Sequence, residues 1–272
     1  MALPEPSDES TALVTGASSG IGEQLARGLA DRGHGLTLVA RGMERLDRLA
    51  AELSKKHKVR VDAISADLAD GASRDELAAE VERRGREVEV LVNCAGYGIY
   101  SSFLDSGREK EVHQLRLLVE AVVDLTARYL PGMVERGRGA VINLSSTAGI
   151  QPLPYNAGYS AAKAYVDFLS EALHTELRGT GVTVTSVMPG PVRTGFQEAS
   201  GAEYFAERMP GMTIKPAERV AADALRAVER GRRATIPGGA FVKMAFGPNR
   251  FAPRGLQLAV GKRLAAPPDG EE

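Results

Sequence analysis

The residues best placed to do chemistry are Tyr159 and Lys163, four positions apart in Tyr159-Ser160-Ala161-Ala162-Lys163. Four residues is about one helical turn, so on a helix the phenol and the ammonium project from one face. Val166, Leu169, Ala172, Leu173 and Leu177 follow at helical spacing and predict such a helix, opened by Tyr159. A nearby cation favours the phenolate and lowers a pKa whose reference value is about 10. A tyrosine tuned this way gives or takes a proton near neutral pH. The same spacing also describes a half-buried aromatic beside a solvated lysine, so its meaning depends on the rest of the chain.

A second signal lies near the start. Thr11-Ala12-Leu13-Val14-Thr15 reads as a short buried strand that runs into Gly16-Ala17-Ser18-Ser19-Gly20-Ile21-Gly22 and then a helix. Glycines there let backbone approach a pyrophosphate, and a helix N-terminus offers free N–H groups and a favourable dipole. Ser18 and Ser19 add hydroxyl donors. A tight turn with no ligand has the same glycines, but not this placement between first strand and first helix. The second strand ends in Ala40-Arg41-Gly42, without a carboxylate until Glu44. An acid at that place suits the 2′-hydroxyl of NAD and an arginine the 2′-phosphate of NADP, so Arg41 favours NADP(H) over NAD(H).

The elements that must position these residues alternate. Strands are expected at 11–15, 36–40, 59–65, 88–92, 140–144, 182–187 and near 234–236. Helices are expected to about 32, then over 44–56, 73–84, 110–135, from 159, and over 217–230. Strands apolar throughout and separated by helices predict an α/β fold, a Rossmann-like doubly wound parallel sheet with helices on both faces. The expected organisation is a disordered tail over 1–10, one domain over 11–239 and a C-terminal extension over 240–272. With 272 residues, 43% hydrophobic and 25% charged, the composition is that of a globular domain. A net charge of −1 gives no electrostatic case for nucleic acid. The single cysteine, Cys94, excludes an internal disulfide and fits a reducing compartment, so a cytoplasmic location is expected. No apolar run reaches the roughly 18 residues of a membrane helix, and residues 1–10 lack the pattern of a signal peptide.

Taken together the motifs resemble the short-chain dehydrogenase/reductase family, in its single-domain form. Thr15-Gly16-Ala17-Ser18-Ser19-Gly20-Ile21-Gly22 matches its TGxxxGxG turn, Asn93-Cys94-Ala95-Gly96 its NAG strand end, and Tyr159 with Lys163 its YxxxK pair. Ser146 stands 13 residues before Tyr159, and Pro189-Gly190-Pro191-Val192-Arg193-Thr194 matches the PG segment. Leu130-Pro131-Gly132-Met133 and Gln151-Pro152-Leu153-Pro154 are similar to a bacterial subgroup of broadly described oxidoreductases. The resemblance implies hydride transfer between nicotinamide and a carbonyl or alcohol carbon. It makes Tyr159 the general acid or base, Lys163 the group that holds the ribose and lowers the Tyr159 pKa, and Ser146 a donor to the substrate oxygen. It places Asp67 and Leu68 at the adenine, Asn93, Ala95 and Gly96 along the cofactor, and Pro189, Gly190, Val192 and Thr194 at the carboxamide. It also implies a homodimer or homotetramer formed through helices that include 112–128 and 159–177. A nucleotide-sensing protein of the same fold, inactive or weakly active, is the alternative; retention of Ser146, Tyr159 and Lys163 argues against it.

One departure stands out. The family's asparagine in the long helix, which anchors a water linked to the lysine, is here Leu118, and no asparagine occurs between Tyr97 and Ile142. A leucine cannot bind that water. Tyr97, Tyr100, Gln151, Tyr155 and Phe196 fall beside family pocket positions and are candidates to line a substrate cleft, with core or lid packing as the alternative. Residues 196–212 fall at the family's mobile lid, with Gly201, Pro210 and Gly211 suited to a hinge. Ser145 reads as a strand-end cap and Cys94 as a small buried thiol. The histidines show no metal-ligand spacing, and no metal is expected; His34, His57 and the mixed-charge run Glu82–Arg86 read as solvated. The extension combines Phe241, Met244, Phe246 and Phe251 with Lys243, Arg250, Arg254, Lys262 and Arg263. Such a segment can cover the cleft, pack on a partner subunit or lie on an anionic membrane. Gly247, Pro248, Pro253 and Gly255 break any long helix and set peripheral membrane contact last among the three.

Overall fold

Seven parallel strands form the middle layer of the computed structural model, which describes residues 3–193, 196, 200, 208–209 and 211–266. In chain order the strands are β1 (Ser10–Thr15), β2 (Leu36–Ala40), β3 (Val61–Ser65), β4 (Glu87–Asn93), β5 (Gly139–Leu144), β6 (Val182–Val187) and, last, β9 (Ala234–Thr235). Their order across the sheet is β3-β2-β1-β4-β5-β6-β9. Two-residue strands β7 (Val192–Arg193) and β8 (Lys215–Pro216) pair with each other outside it. The helices are α1 (Gly20–Ala30), α2 (Met43–His57), α3 (Gly71–Arg83), α4 (Phe103–Ser106), α5 (Arg108–Leu115), α6 (Ala121–Glu135), α7 (Ala157–Glu176), α8 (Ala217–Glu229), α9 (Ala240–Phe246) and α10 (Arg254–Ala265).

Apolar residues cover both faces of the sheet, as the strand sequences require. Ala12, Val14, Leu36, Leu38, Val90 and Val92 pack with Leu25 and Leu29 of α1, Leu46, Leu49 and Leu53 of α2, and Leu225 of α8. Leu13, Val39, Leu91, Val141 and Val184 pack on the other side with Leu77 and Val81 of α3 and Leu125 and Met133 of α6. The chain leaves β1 toward β2 on one side and returns to β4 on the other. That reversal opens a crevice at the carboxyl ends of β1 and β4, the usual ligand position in open α/β sheets.

Several expectations are corrected. Residues 3–10 do not fray: Leu3 is buried in the core, Ser7 and Ser10 cross-bond, and Ser10 starts β1. The Asp8 carbonyl accepts from Arg86 Nη1 at 2.7 Å and the Glu9 carbonyl from the Glu87 N–H at 3.0 Å. Arg86 is therefore no wet helix end. It is buried beside Asp62, and burial lowers its pKa despite that carboxylate. His34 is also buried, and desolvation with the Arg32 charge pushes it down to about 4. His57 packs with its ring largely covered, 3.8 Å from Asp31.

The long helix expected over 110–135 is interrupted. Residues Arg116–Glu120 form a π turn in which the Ala121 N–H reaches back to the Arg116 carbonyl. The extra residue seats Leu118 fully buried against Tyr159 and Ala162. Helix α7 begins two residues before Tyr159; of the expected apolar series Val166 is buried and Leu173 and Leu177 pack against the core, but the inward face also carries polar groups. Ala172 is exposed, whereas Tyr159, Lys163, Val166, Asp167 and Ser170 point inward. Polar groups can face the sheet there because strand ends offer partners: Ser170 Oγ accepts from Asn143 Nδ2 at 2.9 Å, and Asp167 Oδ1 accepts from Ser186 Oγ at 2.6 Å.

Candidate active site

The crevice is a cleft of about 840 Å³. One wall is the first strand-to-helix turn. Gly16 has φ +67°, and a Cβ on it would stand 2.9 Å from Ala95 Cα. A Cβ on Gly22 would stand 2.3 Å from the Gly16 carbonyl oxygen. Only glycine allows backbone to approach backbone this closely. Ser19, at the N-cap of α1, makes no side-chain cap, so its hydroxyl does not occupy the first N–H groups of that helix. Ser18, Ser19, Gly20 and Ile21 line the cleft with these glycines. The donor set fits a pyrophosphate.

Thr15, at the end of β1, was not singled out from sequence as a separate contributor. Its Oγ1 donates to the Val92 carbonyl at 3.0 Å and accepts from the N–H groups of Cys94 at 2.9 Å and Ala95 at 3.1 Å. It ties the glycine turn to the strand end across the crevice. Ala95 and Gly96 line the cleft, as expected, with Asp67 and Leu68 beyond β3 and Pro189, Gly190 and Val192 beyond β6. Asn93 does not. It is buried, and its Nδ2 donates to Asn143 Oδ1 at 2.8 Å and Thr126 Oγ1 at 3.2 Å. Its carboxamide locks β4 to β5 and α6 beneath the cleft rather than touching a ligand. Thr194 lies outside the described residues, as do Gly201 and Pro210 of the expected lid.

Arg41 lines the cleft at the end of β2, and Arg45 joins it from the first turn of α2. Arg45 carries no helical-spacing signal of its own, because Arg41 precedes the α2 N-cap Gly42; only the turn between β2 and α2 brings both to one rim. Two guanidiniums on one rim fit a terminal phosphate better than a ribose hydroxyl.

The reactive end is assembled from β5 and α7. Ser146 caps a 3₁₀ turn (Thr147–Ile150), and its Oγ accepts from the Ala148 N–H at 3.1 Å. The Thr147 N–H donates to the Pro189 carbonyl at 3.0 Å, which holds this loop against the one after β6. Ser146 and Tyr159 both line the cleft. Ser145 instead donates to the Lys163 carbonyl at 2.7 Å, a backbone cap as its position suggested.

The electrostatics differ from the sequence expectation. Burial pushes the Tyr159 phenol up to about 12, with the Ser146 hydrogen bond opposing the shift. Lys163 Nζ lies 5.6 Å from the Tyr159 ring centre and donates to the Leu144 carbonyl at 2.6 Å. Its own pKa is pushed down to about 8 by burial. Desolvation is the largest cause of both shifts, so Tyr159 is held in the proton-donating form. Lys163 sits under the cleft floor: a Cβ on Gly96 would be 3.9 Å from its Nζ. Cys94 is half-buried and lines the cleft, and desolvation pushes its thiol pKa up to about 12, which keeps it protonated.

Of the proposed pocket residues, Tyr97, Tyr100, Gln151 and Phe196 line the cleft, whereas Tyr155 does not. Tyr155 has φ +62°, and its carbonyl accepts from the Ser101 N–H at 2.9 Å, so it shapes the loop before α7. The Phe196 ring stands 5.7 Å from that of Tyr159. Tyr97 OH pairs with His113 Nδ1 at 2.9 Å, which brings α5 to the rim. Phe246 of α9 and Leu264 of α10 also face the cleft. Their contribution depends on how the extension folds back, which no local pattern discloses. Among the described residues no group of three or more His, Cys, Asp or Glu side chains converges as a metal site would.

Comparison with known proteins follows the same lines. The family model described as short chain dehydrogenase matches residues 10–204. A very-long-chain 3-oxoacyl-CoA reductase of Anas platyrhynchos is 38% identical over 198 residues, 71% of this chain and 63% of that protein. The chain thus spans less than two thirds of the length of such relatives; the Bos taurus protein is covered to 59%. An uncharacterized oxidoreductase of Staphylococcus epidermidis is 34% identical over 200 residues, 74% of this chain and 84% of that protein. Among solved structures, a short-chain dehydrogenase from Sphingobium yanoikuyae in complex with NADPH superposes with TM-score 0.78 at 31% identity, covering 97% of this chain and 98% of that one. L-Sorbose reductase from Gluconobacter frateurii, complexed with NADPH and L-sorbose, gives 0.76 at 28% identity over 88% and 98%.

Proposed function

The chain belongs to the short-chain dehydrogenase/reductase family, and from that premise we propose that it is an NADP(H)-dependent oxidoreductase acting on a carbonyl or alcohol carbon. The observation that carries this reading is a single cleft lined by two arginines and by both Ser146 and Tyr159. The bound dinucleotide supplies or accepts the hydride. The chain's own residues place it and manage the proton. The Gly16–Gly22 turn gives backbone donors to the pyrophosphate, and Arg41 with Arg45 meets a 2′-phosphate. The NADPH-bound neighbours support that choice of cofactor.

Tyr159, held protonated by burial, donates to the substrate oxygen in reduction. Ser146 donates to the same oxygen as negative charge develops there. Lys163, buried beneath the cleft floor one turn further along α7, holds the nicotinamide ribose in this reading. In oxidation the proton path reverses, and Tyr159 receives the proton. Phe196, Phe246 and Leu264 give the cleft an apolar side that fits the carbon skeleton of the substrate. The relatives named as 3-oxoacyl-CoA reductases make 3-oxoacyl thioesters one class to test. We also place the enzyme in the cytoplasm. A homodimer or homotetramer is proposed through α5 and α7, whose Leu115 and Phe168 are exposed at 42% and 72%.

The test is NADPH absorbance followed with a panel of ketones, aldehydes and 3-oxoacyl thioesters. Turnover that disappears in Tyr159→Phe is the expected result. Tight NADPH binding without turnover across the panel would replace this reading with the nucleotide-sensing one.

A further inference from the structure

The C-terminal extension has two faces with different partners. Its inner face is occupied: Val242 is buried, Phe246 and Leu264 line the cleft, and a Cβ on Gly261 would stand 3.2 Å from Pro154 Cδ. Arg250 fastens it to the body. Its Nη2 donates at 3.0 Å to Asp167, a carboxylate buried in α7 one turn past Lys163. The extension is therefore a fixed wall of the cleft. Its outer face carries Phe241, Met244, Pro248 and Phe251, all exposed. Met244 and Phe251 are open to 71% and 86%. These residues recur every three or four positions along backbone that stays right-handed helical from α9 into the 3₁₀ turn Gly247–Phe251, which is the spacing of one helix face. Gly247 and Pro248 had argued against a continuous amphipathic surface. Phe246 and Gly247 both keep right-handed helical backbone, so the helical spacing is not broken there.

The charge on this face is of one sign. No Asp or Glu occurs between Glu229 and Asp269, in a chain whose net charge is −1. Lys243, Arg254, Lys262 and Arg263 are exposed on the same extension. A second copy meeting this face through a two-fold axis would set cations against the same cations. An anionic lipid surface complements both properties: its headgroups attract the basic side chains, and its acyl boundary receives the large apolar ones. Among the described residues no helix is long and apolar enough to cross a membrane, so the contact is peripheral. We propose that the outer face of residues 240–265 docks the enzyme on an anionic lipid surface. Phe246 on the inner side of the same helix then places the cleft directly behind the docked segment.

Co-sedimentation of the full chain with vesicles of phosphatidylcholine alone, and of phosphatidylcholine mixed with phosphatidylglycerol, tests this. Strong excess binding to the phosphatidylglycerol vesicles is expected, and it should weaken as salt is raised. Replacing Lys262 and Arg263 together by Gln should weaken it about tenfold or more. Met244→Ser with Phe251→Ser should weaken it to a similar degree while NADPH affinity is retained, since neither side chain lines the cleft. Equal sedimentation with both vesicle types, or binding that neither double variant alters, would overturn the proposal. So would a concentration-dependent dimer that only the Met244→Ser, Phe251→Ser variant dissolves, because a second copy would then be what covers that face.

Discussion

The two walls of the cleft are held by different kinds of contact. On the β1–β4 side backbone meets backbone, at Gly16 against Ala95 and Gly22 against Gly16 itself. On the opposite side glycine backbone meets side chains. A Cβ on Gly190 would stand 3.2 Å from a ring carbon of Phe246. The first wall cannot shift without disturbing parallel ladders on both sides of β1. The second can yield by turning an aromatic ring at the end of the seven-residue α9. A rigid wall suits a ligand of fixed shape, and a yielding one suits a range of substrates. Tyr159 lines the same cleft with Ser146, its ring 5.7 Å from that of Phe196.

That contrast can be broken most severely at Tyr159. Tyr159→Phe keeps the ring and its packing but removes the proton donor, and kcat should fall about 10²–10⁴-fold while NADPH affinity measured by calorimetry stays level. Next comes the rigid wall. Gly22→Ala must displace the Gly16 carbonyl, and fluorescence titration should show NADPH binding weakened about tenfold or more. Arg41→Ala and Arg45→Ala each remove a charge-assisted hydrogen bond worth about 1.5–3 kcal/mol, so each should raise the KM for NADPH about tenfold or more. The KM for NADH should hardly move, and an equal rise for both cofactors would remove the 2′-phosphate assignment. A smaller effect is expected from pH. Lys163 loses its charge as pH rises through about 8, whereas Tyr159 keeps its proton to about 12. NADPH affinity should therefore weaken a few-fold above about pH 8 in the native protein and stay flat in Lys163→Met.

The same division explains what the sequence could reveal. The rigid wall was legible because its requirements are local: a glycine where a Cβ has no room, a strand before it and a helix after. All seven strands of the main sheet and the Ser146, Tyr159 and Lys163 constellation follow from patterns of that kind. Asn93 was misplaced because its motif marks a strand end, while the direction of its side chain depends on Thr126 and Asn143, 33 and 50 residues away. The pKa reading of Tyr159 failed for a related reason. Spacing discloses the neighbouring ammonium but not the burial of both groups, and burial is the larger effect. His34 and Arg86 looked solvated by type and context, yet folding covers both. The π turn at Arg116–Glu120 leaves no local mark at all, although it determines that Leu118 backs Tyr159. The yielding wall was the least legible, because Phe246 and Leu264 reach the cleft only through contacts such as Arg250 with Asp167, 83 residues apart.

The mildest change should be Gly190→Ala, and it is the sharpest test of the contrast. Gly190 has no left-handed φ that would strain a side chain, and its Cβ would meet only the ring of Phe246 at 3.2 Å and Val242 Cγ1 at 3.5 Å. A gap of that size asks the ring to move by a few tenths of an ångström, within the range that small rotations of a partly exposed aromatic provide. Stability should change by less than about 1 kcal/mol and NADPH affinity by less than about threefold. What should change is selectivity. Turning the Phe246 ring narrows or widens the apolar side of the cleft, so the ratio of kcat/KM between a small and a bulky ketone should shift by several-fold. If Gly190→Ala instead weakens NADPH binding as strongly as Gly22→Ala, the two walls do not differ in stiffness. Phe246 would then be part of the fixed frame rather than an adjustable surface.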